Sequence, residues 1–155
     1  MGGHAILTLR GNIGDPRMSD AVHKRLIGRR CNSLLVYEAH DSTGLVDGAA
    51  MIVLVLDQSD GREEWIRVFF DAGGWSWTTS NEPVAEPEDP TGELRFPSTD
   101  LAALLGVAGT EIRLAELVRR GETAARFLLG FATGVMVSAE HDGDRTHLQI
   151  IPPAA

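Results

Sequence analysis

The sequence has little of what marks a secreted protein or a membrane protein. Its single cysteine, Cys31, excludes a disulfide within the chain, which fits a reducing compartment. No apolar run approaches the roughly 18 residues that a membrane-spanning helix needs. The first residues show no basic segment followed by a long apolar stretch, so we expect no secretion signal. These absences predict a cytoplasmic protein.

Catalytic and phosphate-binding motifs are also missing. Neither Gly-x-x-x-x-Gly-Lys-Ser/Thr nor Gly-x-Gly-x-x-Gly occurs, and the stretch around Ser76 lacks the second glycine of a nucleophile elbow. Glu63 and Glu64 are adjacent on a predicted strand, so they would point to opposite faces and could not share acid–base chemistry. The sequence therefore predicts no catalytic residue and no cofactor, and it favours a protein that is not an enzyme.

The charge is unbalanced in sign and in kind. The chain has 14 basic and 22 acidic residues, for a net charge of −8. Nucleic acids and anionic membranes are bound by lysine and arginine, so this balance argues against both. All the basic residues but Lys24 are arginines, a bias typical of bacteria with GC-rich genomes. An acidic bacterial protein of this size suits a basic protein partner.

The most informative pattern is a partial repeat at an offset of about 60 residues. The first copy comprises Ile52, Leu54, Gly61, Ile66, Val68, Phe70, Trp75 and Trp77; the second comprises Ile112, Leu114, Gly121, Phe127, Leu129, Phe131, Val135 and Val137. Each copy is typical of an antiparallel β-meander. We therefore predict a mainly antiparallel α+β fold, in which two meanders pack as a sandwich or a half-open barrel.

The rest of the chain divides around these two meanders into a single domain of residues 1–155. An N-terminal strand and helix fill residues 1–32, with Asp15 as the helix cap, Pro16 at the first helical position and Gly28 after the end. We expect the first meander in 33–80, with a polar loop at 41–48 and a strand buried on both faces at 49–57. The second meander is expected in 111–152. Residues 111–118 fit a helix as well as a strand, and the repeat favours a strand.

Residues 81–97 interrupt the β pattern with proline and acidic side chains. They predict an extended linker without apolar residues for a core. A short helix is expected in 98–106, capped by Ser98 or Thr99 and ended by Gly106. The linker's carboxylates would steer a basic partner towards this protein and could occlude a site that binds phosphates. We therefore take five residues as the candidate partner-binding site: Glu82, Glu86, Glu88, Asp89 and Glu93.

Aromatic and histidine side chains suggest an alternative, a small-molecule-binding protein or a pocket enzyme. Trp75 and Trp77 share one face of a strand, where they would form core or line a cavity. The candidate pocket residues are Phe69, Phe70, Trp75, Trp77, His40, His141 and His147, with the histidines as acid–base groups. The same histidines lie near acidic residues, but their spacing matches no known metal-ligand pattern, and we predict no metal site. Cys31, beside Arg29 and Arg30, is either a thiol of lowered pKa or a small core residue.

Two resemblances to known families accompany these patterns. Residues 7–16 look like the first strand and turn of bacterial single-stranded-DNA-binding proteins, and residues 64–68 resemble a later strand of that family. The chain departs from the family where a helix follows Pro16 at once and no basic groove is evident. The succession of strands and glycine turns in each meander is similar to that of small acidic bacterial immunity proteins. This resemblance implies a protein that neutralises a toxin by covering its active site. We accordingly expect a non-enzymatic, immunity- or inhibitor-like binding protein.

Overall fold

The computed structural model describes residues 7–12, 16–71, 74–119 and 124–154 of the chain. These residues form a mostly antiparallel β structure with two short helices. In chain order the elements are β1 (Leu7–Asn12), α1 (Pro16–Leu26), β2 (Arg30–Asp41), β3 (Gly44–Asp57), β4 (Glu63–Asp71), β5 (Gly74–Ser80), β6 (Ser98–Asp100), α2 (Leu101–Leu104), β7 (Thr110–Arg119), β8 (Ala124–Phe131), β9 (Met136–Asp142) and β10 (Arg145–Ile151).

Antiparallel pairing connects the strands in the order β1-β5-β4-β3-β2-β7-β8-β9-β10, and β6 pairs with β2. The first meander is β3–β4–β5 and the second is β7–β8–β9, which β10 extends. The sheet is not closed, although the Thr146 amide of β10 donates to Asp47 Oδ1 of β3 at 3.0 Å. The predicted fold class, two antiparallel meanders with an N-terminal helix and a second short helix, is confirmed.

The two meanders share one hydrophobic core. Only the pairs Arg30–Glu111 and Cys31–Thr110 join β2 to β7, so the sheet can bend at this short seam. The inner faces of both meanders then contribute to the same buried cluster, which includes Ile66, Val68 and Trp77 from the first and Phe127, Leu129 and Val137 from the second. Phe70 of β4 also stacks on His141 of β9, with ring centroids 5.1 Å apart. The repeated positions therefore face each other across the core.

A tight hairpin replaces the expected polar loop at 41–48, and that prediction is wrong. The Asp41 carboxylate accepts hydrogen bonds from the Thr43 amide at 2.7 Å and the Thr43 hydroxyl at 2.6 Å. Gly44 follows with a φ of 125°, a conformation that other residues rarely adopt. The first part of β3 lies at the margin of the sheet, because the pairing of β3 with β4 begins only at Ile52. There the register with β2 shifts, and Asp47 Oδ1 accepts the Ala49 amide at 3.0 Å.

Other local predictions are confirmed or refined. Residues 111–118 are a strand, with Ile112, Ala115 and Leu117 buried. Residues 51–56 of β3 are buried on both faces. Asp100, rather than Ser98 or Thr99, caps α2, because its Oδ1 accepts the Ala102 amide at 3.1 Å. The expected cap of α1, Asp15, lies outside the described residues. Over the residues that the structure describes, no helix is long and apolar enough to cross a membrane.

Candidate functional site

Residues 81–97, here called the acidic strap, run across strands β4, β3 and β2, on the face that points away from the main core. The strap leaves β5 and ends at β6, and these strands lie on opposite sides of β4, β3 and β2. Four strand spacings separate its two ends, a distance of about 19 Å. The segment therefore crosses three strands instead of hanging from one edge of the sheet.

Beneath the strap lies a second hydrophobic cluster, separate from the main core. Its buried members are Tyr37 of β2 and Met51, Val53 and Val55 of β3. Val84 of the strap packs against them, so the linker does contribute an apolar side chain, contrary to expectation. Burial raises the pKa of the Tyr37 phenol, and the negative charge of Glu86 raises it further. The Glu86 carboxylate is thus held within electrostatic reach of the sheet.

Backbone hydrogen bonds fix the C-terminal end of the strap to β2. The amides of His40 and Arg95 donate to each other's carbonyl oxygens, at 2.9 and 2.8 Å, and the Glu38 amide donates to the Pro97 carbonyl at 3.0 Å. These bonds satisfy the free edge of β2 where β6 begins. The segment that the sequence predicts as an extended linker is therefore anchored at two places, through Val84 and through residues 95–97.

Asp89 holds a turn in the middle of the strap. Its carboxylate accepts hydrogen bonds from the Thr91 hydroxyl at 2.7 Å, the Thr91 amide at 3.0 Å and the Leu94 amide at 2.8 Å. The hydroxyl bond, followed by the two amide bonds, holds the pKa of Asp89 below its usual range. Asp89 therefore shapes the strap, and its lone pairs are engaged within the chain.

The four glutamates of the candidate partner site point outwards. Glu82, Glu86, Glu88 and Glu93 are all exposed. In the part of the chain that the structure describes, no ion pair engages Glu86, Glu88 or Glu93. The structure thus brings the five predicted acidic residues onto one anchored segment and separates them into one turn-forming residue and four surface carboxylates.

The six residues of the alternative pocket whose side chains the structure describes do not converge on one cavity. Trp77 is fully buried in the core, and Phe70 stacks on the buried ring of His141, whose Nδ1 lies 3.1 Å from Thr146 Oγ1. Phe69 lies beneath the Arg67 guanidinium, 5.4 Å from the ring centroid, on the opposite face of β4. His40 Nε2 lies 3.6 Å from the Glu38 carboxylate. The side chain of Trp75 is outside the described residues.

His147 lines a groove that sequence reasoning missed. The groove has a volume of about 430 Å³ and lies where β10 approaches β3, α2 and β6. Its walls are mostly aliphatic, and Leu45 and Leu104 are 55% and 69% exposed at its margin. Glu38 and Thr99 supply polar groups beside His147. Five separate elements bring these residues together, so no local pattern in the sequence indicates the groove.

Among the described residues, neither Cys31 nor the histidines that lie near acidic residues form a reactive or metal-binding arrangement. Cys31 is fully buried, and its thiol donates to the Ser33 carbonyl at 3.2 Å. Burial, with the charge of Asp100 as a second cause, raises the pKa of Cys31 to about 12, so it is a core residue rather than an activated thiol. No group of three or more histidine, cysteine, aspartate or glutamate side chains within this part of the chain is arranged to hold a metal ion.

Comparison of this chain with known proteins identifies no relative. No family model, no curated protein and no solved structure matches this chain. Function is therefore argued from the surfaces described above.

Proposed function

We propose that this chain is a non-enzymatic, immunity- or inhibitor-like binding protein that presents the acidic strap to a basic protein partner. The observation that supports the proposal is that the strap is anchored by Val84, by the Asp89 turn and by the backbone bonds of residues 95–97. A segment that is already ordered loses less conformational entropy on binding than a flexible linker would. The setting that we propose is the cytoplasm of a bacterium.

Electrostatics would act on the rate and the selectivity of this association. The net charge of −8 and the exposed strap glutamates attract a positively charged surface and slow the approach of acidic proteins. The partner that fits best is a basic enzyme or toxin whose substrate is anionic, because the glutamates would occupy the positions of substrate phosphates. Salt would weaken such a complex by screening the exposed charges.

The experiment is a pull-down from the host lysate with the purified protein as bait. The strap variant carries Glu86→Gln, Glu88→Gln and Glu93→Gln; a matched control carries Asp142→Asn, Asp144→Asn and Glu111→Gln in the second half. We expect the wild type and the control to capture one stoichiometric basic partner at about 50 mM salt and to lose it towards about 500 mM. The strap variant should capture little at either salt. Equal capture by the strap variant, or no partner at all, would overturn the proposal.

A second candidate function is the binding of a small apolar molecule in the groove beside β10. The volume of about 430 Å³ lies within the range of ligand sites, and Glu38 offers a charged group for a basic ligand. Nile red, a neutral apolar dye, is a suitable probe. Fluorescence enhancement that saturates for the wild type and is lost in Leu104→Asp, with unchanged binding in the exposed-site control Ala108→Asp, would favour this function. No enhancement would exclude it.

A further inference from the structure

A polar cleft lies near the C-terminal end of β3, whereas the groove lies near its N-terminal end. The cleft forms where the end of α1 meets the start of β4. It has a volume of about 560 Å³. Arg25 and Arg29 form one wall with Glu64, and the turn after β3 and the first strap residue form the other, through Ser59, Asp60 and Asn81. Neither proposed function uses this cleft.

Glu64 is the organising residue of the cleft. It belongs to β4 and is only 4% exposed, so its carboxylate needs charged partners to remain ionised inside the protein. Arg25 donates to Oε2 through Nη2, and Arg29 donates to Oε1 through Nη1 at 3.1 Å. Two guanidinium groups are therefore fixed by one buried carboxylate, which leaves a surplus of one positive charge.

Both arginines retain donors that the chain does not use. Arg29 also donates from Nε to the Asp57 carbonyl at 3.1 Å, which fixes the plane of its guanidinium. Nε of Arg25 and Nη2 of Arg29 are inaccessible and have no hydrogen-bond partner within the described residues. Guanidinium N–H groups without acceptors are unfavourable, since each has lost its water. These two nitrogens lie beneath the surface of the cleft, so a ligand would contact the exposed part of the Arg25 side chain.

The opposite wall supplies neutral donors. The side-chain amide of Gln58 donates from Nε2 to Asn81 Oδ1 at 3.1 Å, so the Nδ2 group of Asn81 remains able to donate. Ser59 contributes a hydroxyl. The one acidic side chain on this wall, Asp60, lies 3.7 Å from the guanidinium of Arg62, which offsets its charge. The cleft is thus less negative than the remainder of a protein with a net charge of −8.

We propose that this arginine cleft binds a small oxyanion, the carboxylate or phosphate group of a ligand. The planar forks of Arg25 and Arg29 match two oxygens of such a group, and Glu64 holds the two forks side by side while it cancels one of their two positive charges. The side chain of Arg25 is 37% exposed, so the cleft is open to a ligand. The site is separate from the acidic strap glutamates and does not depend on the proposed function.

The competing explanation is that the two arginines serve only to neutralise Glu64. Glu64→Gln distinguishes the two explanations, because it keeps the shape of the side chain and removes its charge. If the cleft binds oxyanions, this variant frees both guanidiniums and should bind them about tenfold more tightly than the wild type. If the arginines only neutralise Glu64, the wild type should bind no oxyanion, and binding should appear only in Glu64→Gln, where the two guanidiniums are freed.

The experiment is a titration of the full chain, followed by heteronuclear NMR, with inorganic phosphate and with succinate, each against sodium chloride at equal ionic strength. We expect saturable shifts at millimolar concentrations, at least about tenfold weaker binding in Arg25→Gln, and no change in Arg145→Gln, which removes an exposed arginine of β10. Binding of phosphate alone would identify a phosphate-bearing ligand, and binding of succinate alone a carboxylate.

The outcome does not depend on whether Arg25→Gln folds. The double variant Arg25→Gln/Glu64→Gln removes both partners of the buried pair, and its spectrum reports whether the fold is kept. A folded double variant should also bind more weakly than Glu64→Gln alone. The proposal is overturned if the wild type shows no saturable binding, even where Glu64→Gln does, or if Arg145→Gln weakens binding as much as Arg25→Gln does.

Discussion

The two meanders bury their inner faces in one core, but their outer faces differ. The outer face of β3 in the first meander is apolar, and the acidic strap covers it through Val84. In the second meander the corresponding faces of β8 and β9 carry polar residues, Arg126, Ser138 and Glu140, together with the apolar residues Leu128 and Met136. No described residue of β7, β8 or β9 belongs to the second hydrophobic cluster. The first meander thus has an apolar outer cluster on which the strap packs, whereas the second has an outer face of mixed character.

The repeat thus specifies the order and the pairing of the strands in each meander. It does not specify the outer surfaces that could bind other molecules. Trp77 and Val137 occupy equivalent repeat positions in the shared core but differ greatly in volume. The functional surfaces lie outside the repeated pattern: the strap follows the first meander, and the arginine cleft forms where α1 meets that meander. Four predictions test this comparison.

The largest effect is expected from truncating the two equivalent core residues. Trp77→Ala should lower the free energy of unfolding by about 3–5 kcal/mol, because it removes a fully buried indole and leaves a cavity. Val137→Ala removes two carbon atoms and should cost about 2 kcal/mol. Urea denaturation monitored by circular dichroism measures both values. A smaller loss for Trp77→Ala than for Val137→Ala would contradict the placement of Trp77 at the centre of the core.

Gly48→Ala tests how closely β3 and β10 approach each other at the open side of the sheet. A Cβ atom there would lie 2.8 Å from the Thr146 carbonyl oxygen, so β3 and β10 would have to separate. We expect a loss of about 1–3 kcal/mol in the free energy of unfolding. Amide exchange at Thr146, whose N–H donates to Asp47, should also become faster. Unchanged stability and exchange would show that β10 does not lie against β3.

The covered outer face is tested by Val84→Ala. Because Val84 is only partly buried, we expect a loss of about 1 kcal/mol and faster amide exchange within the strap. Ala85→Ser changes the exposed neighbouring residue and should alter stability by less than about 0.5 kcal/mol. Equal effects of the two substitutions would show that the strap does not pack through Val84.

The smallest effect concerns the turn of the strap. Thr91→Val removes the hydroxyl that bonds to Asp89, so the pKa of Asp89 should rise towards the ordinary value of 3.8. Because the pKa is lowered in the folded protein, this turn is stabilised above the ordinary pKa and loses that stabilisation as the pH falls. The variant should therefore lose the order of the turn at a higher pH than the wild type does. Carboxyl chemical shifts followed by NMR report the change.

The control for this titration is the matching turn in the β2–β3 hairpin. Asp41 is bonded by the Thr43 hydroxyl and amide in the same way, and these bonds lower its pKa. Thr43→Val should raise the pKa of Asp41 and leave that of Asp89 unchanged. If either substitution moved both titrations, the shifts would report a general charge effect and not the two local turns.

Much of the fold is predictable from the sequence because it depends on local patterns. Alternating apolar residues between glycine turns predict the two meanders within residues 33–80 and 111–152, and the repeat correctly favours a strand at 111–118. The hairpin at 41–44 is missed because residues 41–48 combine glycine with aspartate, serine and threonine, a composition that is typical of a loop. Val84, a single valine among acidic residues and prolines, gives too little apolar signal to indicate a packed segment.

The candidate sites are less predictable because they depend on distant residues. The five acidic residues of the strap are visible as a run of charge, but the role of Asp89 in the turn depends on the fold. The arginine cleft joins Arg25 and Arg29 to Glu64 across 39 and 35 positions, and no periodic pattern links them. The groove likewise combines residues of β2, β3, β10 and α2.

The central claim, that an anchored acidic strap is the binding surface, is tested most directly by hydrogen exchange on the free protein and on its complex with the captured partner. We predict that the amides of Glu38, His40 and Arg95 exchange slowly in the free protein, because each donates to a backbone carbonyl. Binding should then slow exchange further across residues 82–93. A strap that exchanges as fast as an unfolded segment, or protection that falls on the second meander instead, would contradict the account.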